Sequence, residues 1–395
     1  MSADAALPAG AESASITAMA TPLALEVAAL PSALRDKLAA NGFQLSRLER
    51  WSTRLTDGPS ASTNVLPELP RLPTTDDFTQ VPTPNSADEA TALARGEALL
   101  REGRVAMLVL AGGMATRMGG IVKALAEVPG VGSFLDVRLY EVQALRKRYG
   151  ARVPLWLMTS DATDASLRQA LEQRGAEDAH TFAQDLSLRL NDEGQLFRDA
   201  HGEASSYATG HGDVVDALRR SGLLDKFLAS GGTHIFLTNV DNLGATLDPM
   251  MLGVADGIGC PVSVEVCDKE AGDRGGIPVH VNGKLSVLEE FRLPRGFDPS
   301  QVRVFNTNTF WLSARALADA SFDWPYFEVR KKVDGLDAVQ FERLVQELTA
   351  RLQTSYLHVP RSGTASRFLP VKDNDDLQRR AEAIAAALRS RSLLP

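Results

Sequence analysis

Short apolar runs and helical patterns alternate along the chain from Val105 onward. Apolar runs of this kind, separated by segments whose apolar residues recur every three or four positions, are typical of a mostly parallel sheet with helices on its faces. The predicted strands are VAMLVL at 105–110, VPLWLMTS at 153–160, HIFLTNVD at 234–241, PVSVEVCD at 261–268, VRVFNTNTFWLS at 302–313 and SYLHVPR at 355–361. The clearest predicted helices lie at 167–174, 214–220, 223–228 and 374–390, and the segment 327–352 is expected to lead into a long helix.

The chain before Val105 lacks this alternation. Residues 1–30 are rich in alanine and proline, and we expect a disordered tail there. An imperfect apolar face predicts a helix over 31–55, and repeated prolines make 57–88 an irregular connector. Ser86 and Gly103 are the expected start and stop of one further helix. We therefore divide the chain into the tail, an N-terminal helical and irregular segment at 31–103, a main α/β domain at 104–325, and a C-terminal helix-strand-helix segment at 326–395.

Polar side chains follow directly after one of the most apolar predicted strands. In HIFLTNVDNLGATLD, Asn239, Asp241 and Asn242 come just beyond the run of Ile235, Phe236 and Leu237. The carboxyl ends of strands are where open α/β sheets bind ligands, and an aspartate at that point suits a divalent metal. An Asx-rich turn after a strand would show the same residues, so this segment alone leaves both interpretations open.

A second segment, VAMLVLAGGMATRMGGIVKAL, has the pattern of a strand, a glycine-bearing loop and a lysine. Gly112 and Gly113 would let backbone N–H groups approach an anion or a base edge, while Thr116, Arg117 and Lys123 add donors and positive charge. The segment is neither a Walker A loop nor the dinucleotide-binding fingerprint. A tight turn after a strand remains the alternative.

Together these segments and the blocks that follow them resemble the UDP-glucose pyrophosphorylases (UTP:glucose-1-phosphate uridylyltransferases), within the wider UDP-sugar pyrophosphorylase group. The similarity runs in order along most of the chain, and NLGATLD is similar to the glucose-type branch of the group. The matching blocks are LAGGMATRMGG with Lys123, VPLWLMTSDATD, FAQ at 182–184, ATGHGDVVDALRRSGLLD, NVDNLGATLD, GDRGG, VFNTNTFW, KKVDG with VQFE, and SRFLPVKDNDDL.

The resemblance implies a Rossmann-like nucleotide-diphospho-sugar transferase fold, with a mostly parallel mixed sheet flanked by helices. It also implies that 104–325 is the catalytic domain and that 326–395 completes the site. The implied reaction is Mg²⁺-dependent attack of glucose 1-phosphate on the α-phosphorus of UTP, which gives UDP-glucose and pyrophosphate. Because a phosphate monoester is already anionic at pH 7, this reaction needs no general base. A broad-specificity UDP-sugar pyrophosphorylase acting on galactose or N-acetylglucosamine phosphates, and a non-catalytic UDP-sugar binding module, are the alternatives.

The resemblance also assigns site residues. The lysine after the glycine loop, Lys123, and the lysine of FLPVK, Lys372, would contact the UTP phosphates, and Asp241 would hold Mg²⁺. Lys331 is a third candidate lysine, for which Arg330 or Lys332 could substitute. The remaining assignments are Arg117 as a further catalytic candidate, Ala111, Gly112, Gly113, Gln184, Gly210, His211 and Asn239 as substrate-binding residues, and Gly275, Gly276, Glu289 (or Glu290), Asn306 and Asn308 for the sugar.

Some residues have simpler explanations. Lys123 could be a solvated surface lysine and Lys372 an exposed strand end, whereas Gln184 could be an ordinary loop residue and His211 a capping or packed histidine.

The chain departs from the family pattern near the phosphates. The family loop usually reads G-G-x-G-T with Gly-Pro before its lysine, but here Ala115 replaces the third glycine, and Ile121 and Val122 precede Lys123. Two prolines common before Gly210 are absent, and Arg274 stands where a lysine is common. Arginine could still bind phosphate, with a more rigid fork. The phosphate geometry is therefore expected to differ in detail.

Composition limits the partners and the setting. The 395 residues are 44% hydrophobic and 23% charged, with a net charge of −8, which argues against a broad nucleic-acid surface. With two cysteines, no positively charged start and no apolar run of membrane-spanning length, we expect no disulfide framework, no secretory signal and no membrane span, and hence a cytoplasmic protein. Eukaryotic members of the family use a further C-terminal β-helix in association, and no such segment follows SRFLPVK in this sequence. We therefore expect a monomer or a small homo-oligomer.

Overall fold

The computed structural model describes residues 21–57, 64–115, 118–321 and 323–394. The strands are β1 (Thr79–Gln80), β2 (Val105–Leu110), β3 (Met114–Ala115), β4 (Ile121–Val122), β5 (Glu127–Val128), β6 (Gly132–Ser133), β7 (Leu155–Thr159), β8 (Ala179–Ala183), β9 (Leu186–Leu188), β10 (Ser206–Ala208), β11 (His234–Asn239), β12 (Val262–Asp268), β13 (Gly276–Val281), β14 (Lys284–Glu289), β15 (Val304–Ser313), β16 (Phe327–Val333), β17 (Leu336–Glu342) and β18 (Thr354–His358). The α-helices are α1 (Pro22–Ala28), α2 (Ser32–Ala40), α3 (Leu45–Thr56), α4 (Ala87–Arg101), α5 (Phe134–Tyr149), α6 (Asp164–Gln173), α7 (Val214–Arg220), α8 (Leu223–Ala229), α9 (Pro249–Ile258), α10 (Ala314–Asp319), α11 (Leu348–Arg351) and α12 (Asn374–Ser390).

Eight strands form the central sheet, in the order β1-β18-β12-β15-β11-β2-β7-β8. Every neighbouring pair is parallel except the two that involve β15, which runs antiparallel to both β11 and β12. The fold is therefore α/β with a mostly parallel mixed sheet, as expected. The remaining strands form two-stranded hairpins around it.

The sheet lies between two apolar layers, because its strands are apolar on both faces. In β2, Val105, Met107 and Val109 belong to one buried cluster with residues of α5, α9 and α12. The alternate residues Ala106 and Leu108 belong to a second cluster with residues of α7, α8 and α10. This two-sided burial explains why the strand reads as a continuous apolar run in the sequence.

The N-terminal helices form a separate small cluster against β9 and β17. Leu48 and Trp51 of α3 pack with Leu186 of β9 and with Val339 and Phe341 of β17. The ring of Trp51 stacks on that of Phe341 with centroids 4.9 Å apart. The segment before β1 is thus joined to the region that follows β8 and to the C-terminal part of the chain.

Most of the elements predicted from apolar periodicity are confirmed. The six predicted strands correspond to β2, β7, β11, β12, β15 and β18, and the predicted helices at 167–174, 214–220, 223–228 and 374–390 correspond to α6, α7, α8 and α12. Ser86 caps α4, since its hydroxyl accepts from the backbone N–H of Glu89 at 3.1 Å. The domain boundaries themselves stay predictions, although β18 lies inside the main sheet between β12 and β1.

The long helix expected from the segment 327–352 is wrong. This segment forms the β16–β17 hairpin, followed by a 3₁₀ turn at Val345–Glu347 and the four-residue helix α11. Asp334 and Gly335 join the two strands with positive φ angles of 51° and 83°. An Asp-Gly pair with both residues in that region closes a tight two-residue hairpin turn.

Two N-terminal predictions also need correction. The single helix over 31–55 is broken into α2 and α3, with Gly42 between them at a φ of 71°. Part of the predicted tail is helical, because α1 spans 22–28 and is capped by the side chain of Thr21. Residues 1–20 lie outside the described residues. Within the parts of the chain that the structure describes, no helix combines the length and apolarity needed to cross a bilayer.

Candidate active site

The carboxyl ends of β8, β7, β2 and β11 lie along one edge of the sheet. The first residues of β15 reach the same edge, because β15 runs in the opposite direction between β11 and β12. A cavity of about 210 Å³ lies at this edge. Its lining includes the predicted site residues His211, Asn239, Asp241, Gly276, Glu289, Asn306, Asn308 and Lys372.

An ion pair joins the loop after β2 to the loop after β11. The Nζ atom of Lys123 lies 2.5 Å from Oδ2 of Asp241, and both side chains are mostly buried. The backbone N–H of Lys123 donates to the carbonyl of Gly113 at 3.1 Å, which folds the lysine back over the glycine loop. The two residues predicted to hold phosphate and metal are therefore direct neighbours.

Lys372 reaches the cavity because the segment before it is tied to the loop after β11. The backbone N–H of Val371 donates to the carbonyl of Asp241 at 3.1 Å. The side chain of Asn242 accepts from the N–H of Leu369 at 2.9 Å and donates to the carbonyl of Arg367 at 3.1 Å. Asn242 is thus the residue that attaches the FLPVK segment beside Asp241.

A buried arginine binds the backbone of the loop after β11. The guanidinium of Arg138 on α5 donates to the carbonyls of Ala245 at 2.6 Å and Asn242 at 2.8 Å, and pairs with Glu141 at 2.9 Å. Glu141 in turn accepts from the N–H of Leu247 at 2.5 Å. Because these groups are fully buried and bonded to backbone, they hold the loop that carries Asp241 in one conformation.

The wall of the cavity that carries Asn306 and Asn308 is shaped by an irregularity in β15. The pairing between β12 and β15 shifts register between Glu265 and Val266, and Asn308 has a φ of 57°. Bulges of this kind re-aim side chains, often next to active sites. Here the Nδ2 of Asn308 donates to Oδ1 of Asn239 at 2.9 Å, and Asn306 accepts from the N–H of Asn308 at 3.0 Å.

Glu289 and Gly276 face each other at the ends of β14 and β13. A Cβ atom at Gly276 would lie 2.6 Å from Cγ1 of Val287 and 3.3 Å from Nδ2 of Asn306, so the backbone passes close to the cavity wall only because the residue is glycine. Burial raises the pKa of Glu289 to about 7, and the nearby Glu290 and Glu347 act in the same direction. The carboxyl group of Glu289 therefore changes its protonation state near neutral pH.

His211 is held neutral with a defined tautomer. Burial lowers the pKa of His211 to about 4. Its Nδ1 atom accepts from the N–H of Val345 at 3.0 Å, so the proton resides on Nε2, which leaves a donor for the cavity. The preceding Gly210 has a φ of 101°, and a Cβ there would lie 2.5 Å from the carbonyl oxygen of Arg343.

Gln184 lies beside the glycine loop. A Cβ at Gly112 would lie 3.3 Å from the side-chain amide of Gln184, and the N–H of Gln184 donates to the carbonyl of Thr159 at 2.9 Å. The carbonyls of Ala111 and Gly112 are occupied by the hydroxyls of Thr163 at 3.1 Å and Ser160 at 2.8 Å. The loop of Ala111, Gly112 and Gly113 is thereby fixed next to an amide that can both donate and accept.

Comparison with known proteins decides the family. The model of the UTP--glucose-1-phosphate uridylyltransferase family matches residues 72–387. The chain belongs to this family. The sequence of a UTP--glucose-1-phosphate uridylyltransferase from Musa acuminata is 32% identical over 292 residues, which is 69% of this chain and 62% of that protein. Its counterpart from Hordeum vulgare is 31% identical over 327 residues, which is 78% of this chain and 68% of that protein.

The matched part of the chain thus spans only about two thirds of these relatives, since the alignments cover 62% and 68% of their lengths. Solved structures agree on the fold. A uridine diphosphate N-acetylglucosamine pyrophosphorylase from Trypanosoma brucei superposes with a TM-score of 0.74 and 22% identity, over 93% of this chain and 81% of that chain. A mutant of the UDP-glucose pyrophosphorylase from Leishmania major gives a TM-score of 0.70 at 24% identity, over 89% of this chain and 77% of that chain.

The predicted catalytic residue Lys331 does not line this cavity. Lys331 lies on β16, where its Nζ pairs with Glu342 at 3.0 Å and its side chain is half exposed. The neighbouring candidates Arg330 and Lys332 are equally engaged, with Asp192 and with Asp337. Arg117 lies outside the described residues, as does Thr116. Among the described residues, Lys372 and Arg274 line the cavity, and Lys123 is paired with Asp241 in its wall.

A cluster of charges that the motifs did not indicate joins the segment that carries Gln184 to the loop that carries His211. The buried guanidinium of Arg343 donates to Asp213 at 2.5 Å, Asp216 at 2.6 Å and Asp185 at 2.7 Å. Asp185 follows Gln184, and Asp213 ends the loop that carries His211. No local pattern marked Arg343 or Gln346, because their partners lie far away in sequence.

The residues present fit a Mg²⁺ ion held partly by substrate. In the part of the chain that the structure describes, no three carboxylate, histidine or cysteine side chains are grouped to hold a metal. Mg²⁺ commonly takes only one or two protein carboxylates, together with phosphates and water. Asp241, placed between Lys123 and the FLPVK segment, matches that donor set.

Proposed function

We propose that the chain transfers the uridylyl group of UTP to glucose 1-phosphate, giving UDP-glucose and pyrophosphate. Membership of the family supports the reaction. The observation that carries the proposal is that one cavity combines groups suited to phosphates with groups suited to sugar hydroxyls. Lys372 and Asp241 lie on the first side, and Glu289, Asn306 and Asn308 on the second.

The side chains on the phosphate side match what uridylyl transfer demands. An oxygen of the sugar phosphate attacks the α-phosphorus of UTP while pyrophosphate leaves, and no proton has to be removed from the attacking oxygen. The barrier comes from crowding several negative charges and from aligning two substrates, so catalysis consists of positioning and charge neutralisation. Lys372 and Lys123 supply positive charge, and the loop of Gly112 and Gly113 brings backbone N–H groups close to the nucleotide.

We further propose that Asp241 holds Mg²⁺. When bound, the ion would neutralise charge on the phosphates of UTP. Lys123 would then stay beside the carboxylate and the phosphates together. Glu289, Asn306 and Asn308 would hold the hexose, and Gln184 would pair with the uracil edge while Nε2 of His211 donates to the nucleotide. The oligomeric state and a cytoplasmic location stay predictions.

The test is pyrophosphate release from UTP and Mg²⁺ with glucose, galactose and N-acetylglucosamine 1-phosphates, repeated with other nucleoside triphosphates. Release with UTP and glucose 1-phosphate, and much slower release with the other sugars, is the expected result. Comparable rates with all three sugars would replace the glucose-specific assignment by a broad UDP-sugar pyrophosphorylase. If UTP binds but no pyrophosphate is released with any of the sugar phosphates, the chain is a UDP-sugar binding module.

A further inference from the structure

Gln346 has an unusual environment in the cavity wall. It lies in the 3₁₀ turn Val345–Glu347 between β17 and α11, and its side chain is almost fully buried. Its Nε2 donates to Oε1 of Glu289 at 2.5 Å. When Glu289 is ionised, at a pH above its pKa of about 7, its carboxylate accepts but does not donate, and this contact then fixes the amide orientation. The amide carbonyl, Oε1, then has no hydrogen-bond partner among the described residues, although it is buried.

A buried amide carbonyl without a partner is rare, since native proteins pair nearly all buried polar groups. The residue lines the same cavity as Glu289 and Asn306. A carbonyl oxygen beside a carboxylate repels phosphate and accepts from a hydroxyl. An O–H donor of the ligand would supply the missing partner, and the hydroxyl-bearing part of the substrate would then lie against this wall.

The turn that carries Gln346 is fixed independently of any ligand. The hydroxyl of Thr349 donates to the backbone carbonyl of Gln346 at 2.7 Å and accepts from the N–H of Val287 at 2.9 Å. Val287 belongs to β14, the strand that ends at Glu289. Gln346 and Glu289 are thus anchored to the same strand, so the free carbonyl is preorganised for a hydroxyl at a defined position.

We propose that Gln346 is a specificity-determining residue, whose Oε1 accepts a hydrogen bond from one hexose hydroxyl while its Nε2 holds Glu289 in place. The inference rests on the proposed function, because it assigns a sugar contact within that site. A site that hydrogen-bonds a hydroxyl discriminates against the analogue lacking it, since the protein group is then left unpaired.

The experiment compares wild type with Gln346→Leu on glucose 1-phosphate and on its deoxy analogues at each ring hydroxyl. Wild type should lose about tenfold in kcat/KM on one particular deoxy analogue because of this contact. Gln346→Leu should lose about tenfold on glucose 1-phosphate and show no further loss on that analogue, as expected for two changes that remove the same bond. KM for UTP should stay unchanged.

Thr349→Val serves as the matched control, because it loosens the same turn without altering the cavity wall. It should keep the wild-type ranking of the deoxy analogues, whatever its effect on stability. The inference is overturned if Gln346→Leu keeps the full wild-type discrimination, or if Thr349→Val abolishes it equally. A wild-type chain that releases no pyrophosphate with any hexose 1-phosphate would instead overturn the proposed function, and this inference with it.

Discussion

At the scale of single residues, a substitution of Lys372 tests the proposed phosphate-binding side of the cavity. Replacing it with methionine keeps the length of the side chain but removes the charge that would neutralise the crowded phosphates. We expect kcat to fall by about 10²–10³-fold, the usual effect of deleting one preorganised donor. Pyrophosphate release measures it, and circular dichroism should show an unchanged fold because the side chain is exposed.

Lys226→Met provides the control, since Lys226 is an exposed lysine on α8. It should behave as wild type. If the kcat of Lys372→Met stays within about threefold of the wild-type value, Lys372 does not contribute to catalysis and the assignment is wrong.

Glu289 predicts a pH dependence of stability. Burial raises its pKa to about 7, above the ordinary value of 4.5. The folded protein then holds a proton that the unfolded chain releases, so this contribution to stability is complete below about pH 4.5 and is lost as the pH rises through 7. Glu289→Gln cannot ionise. Relative to wild type, its free energy of unfolding should rise by up to about 3 kcal/mol between pH 4.5 and 8.

Urea unfolding at several pH values measures that difference. Glu177→Gln, at an exposed position, controls for the loss of one carboxylate. A constant difference between Glu289→Gln and wild type across this range would contradict the raised pKa.

The sequence could indicate some site residues and not others, for a physical reason. Asp241 and Asn239 were predictable because they follow directly after a buried strand, where ligands bind in open sheets. Gln346 and Arg343 were not, because their roles depend on contacts with Glu289 and Asp185, which only the fold brings near.

At the scale of elements, Arg343, which follows the β16–β17 hairpin, joins it to Asp185 and Asp213 beside the proposed nucleotide-binding residues. Replacing Arg343 with methionine leaves the buried Asp185 and Asp213 without their common partner, so we expect a loss of about 3–5 kcal/mol in the free energy of unfolding. The loop bearing His211 and the segment bearing Gln184 are both attached to these aspartates. KM for UTP should therefore rise more than KM for glucose 1-phosphate.

Arg343→Lys is the informative companion, because it retains the charge without the three-way fork and should restore stability only in part. If Arg343→Met is destabilised as expected but changes both KM values equally, or changes neither, Arg343 contributes only to stability.

The hairpin also shows why one element was mispredicted. The apolar residues of FEVRKKVDGLDAVQFERLV are compatible with more than one periodicity, but Asp334 and Gly335 carry the decisive local signal for a tight turn. The terminal helix α12, by contrast, was predicted with its observed limits, and the structure shows that Asp373 caps it.

At the scale of the whole molecule, the sheet order could not be predicted. β1 pairs with β18 and β15 inserts between β11 and β12, and these pairings join segments that are far apart in the chain. Apolar runs identify strands but do not say which strands are neighbours.

The fold should be independent of metal, whereas turnover should not. The described part of the chain contains no grouped set of metal ligands, and the large apolar layers on both sides of the sheet provide the core. Removing divalent ions with EDTA should leave Tm unchanged and abolish pyrophosphate release, and added Mg²⁺ should restore it. Full turnover in EDTA would contradict a metal at Asp241, and a large drop in Tm would indicate a structural metal.

The most direct test of the account is a crystal structure of the protein with UDP-glucose. The account predicts the hexose against Glu289, Asn306 and Gln346, the diphosphate beside Lys372, and the uracil next to Gln184. A hexose bound outside this cavity, or a diphosphate remote from Lys372 and Asp241, would contradict it.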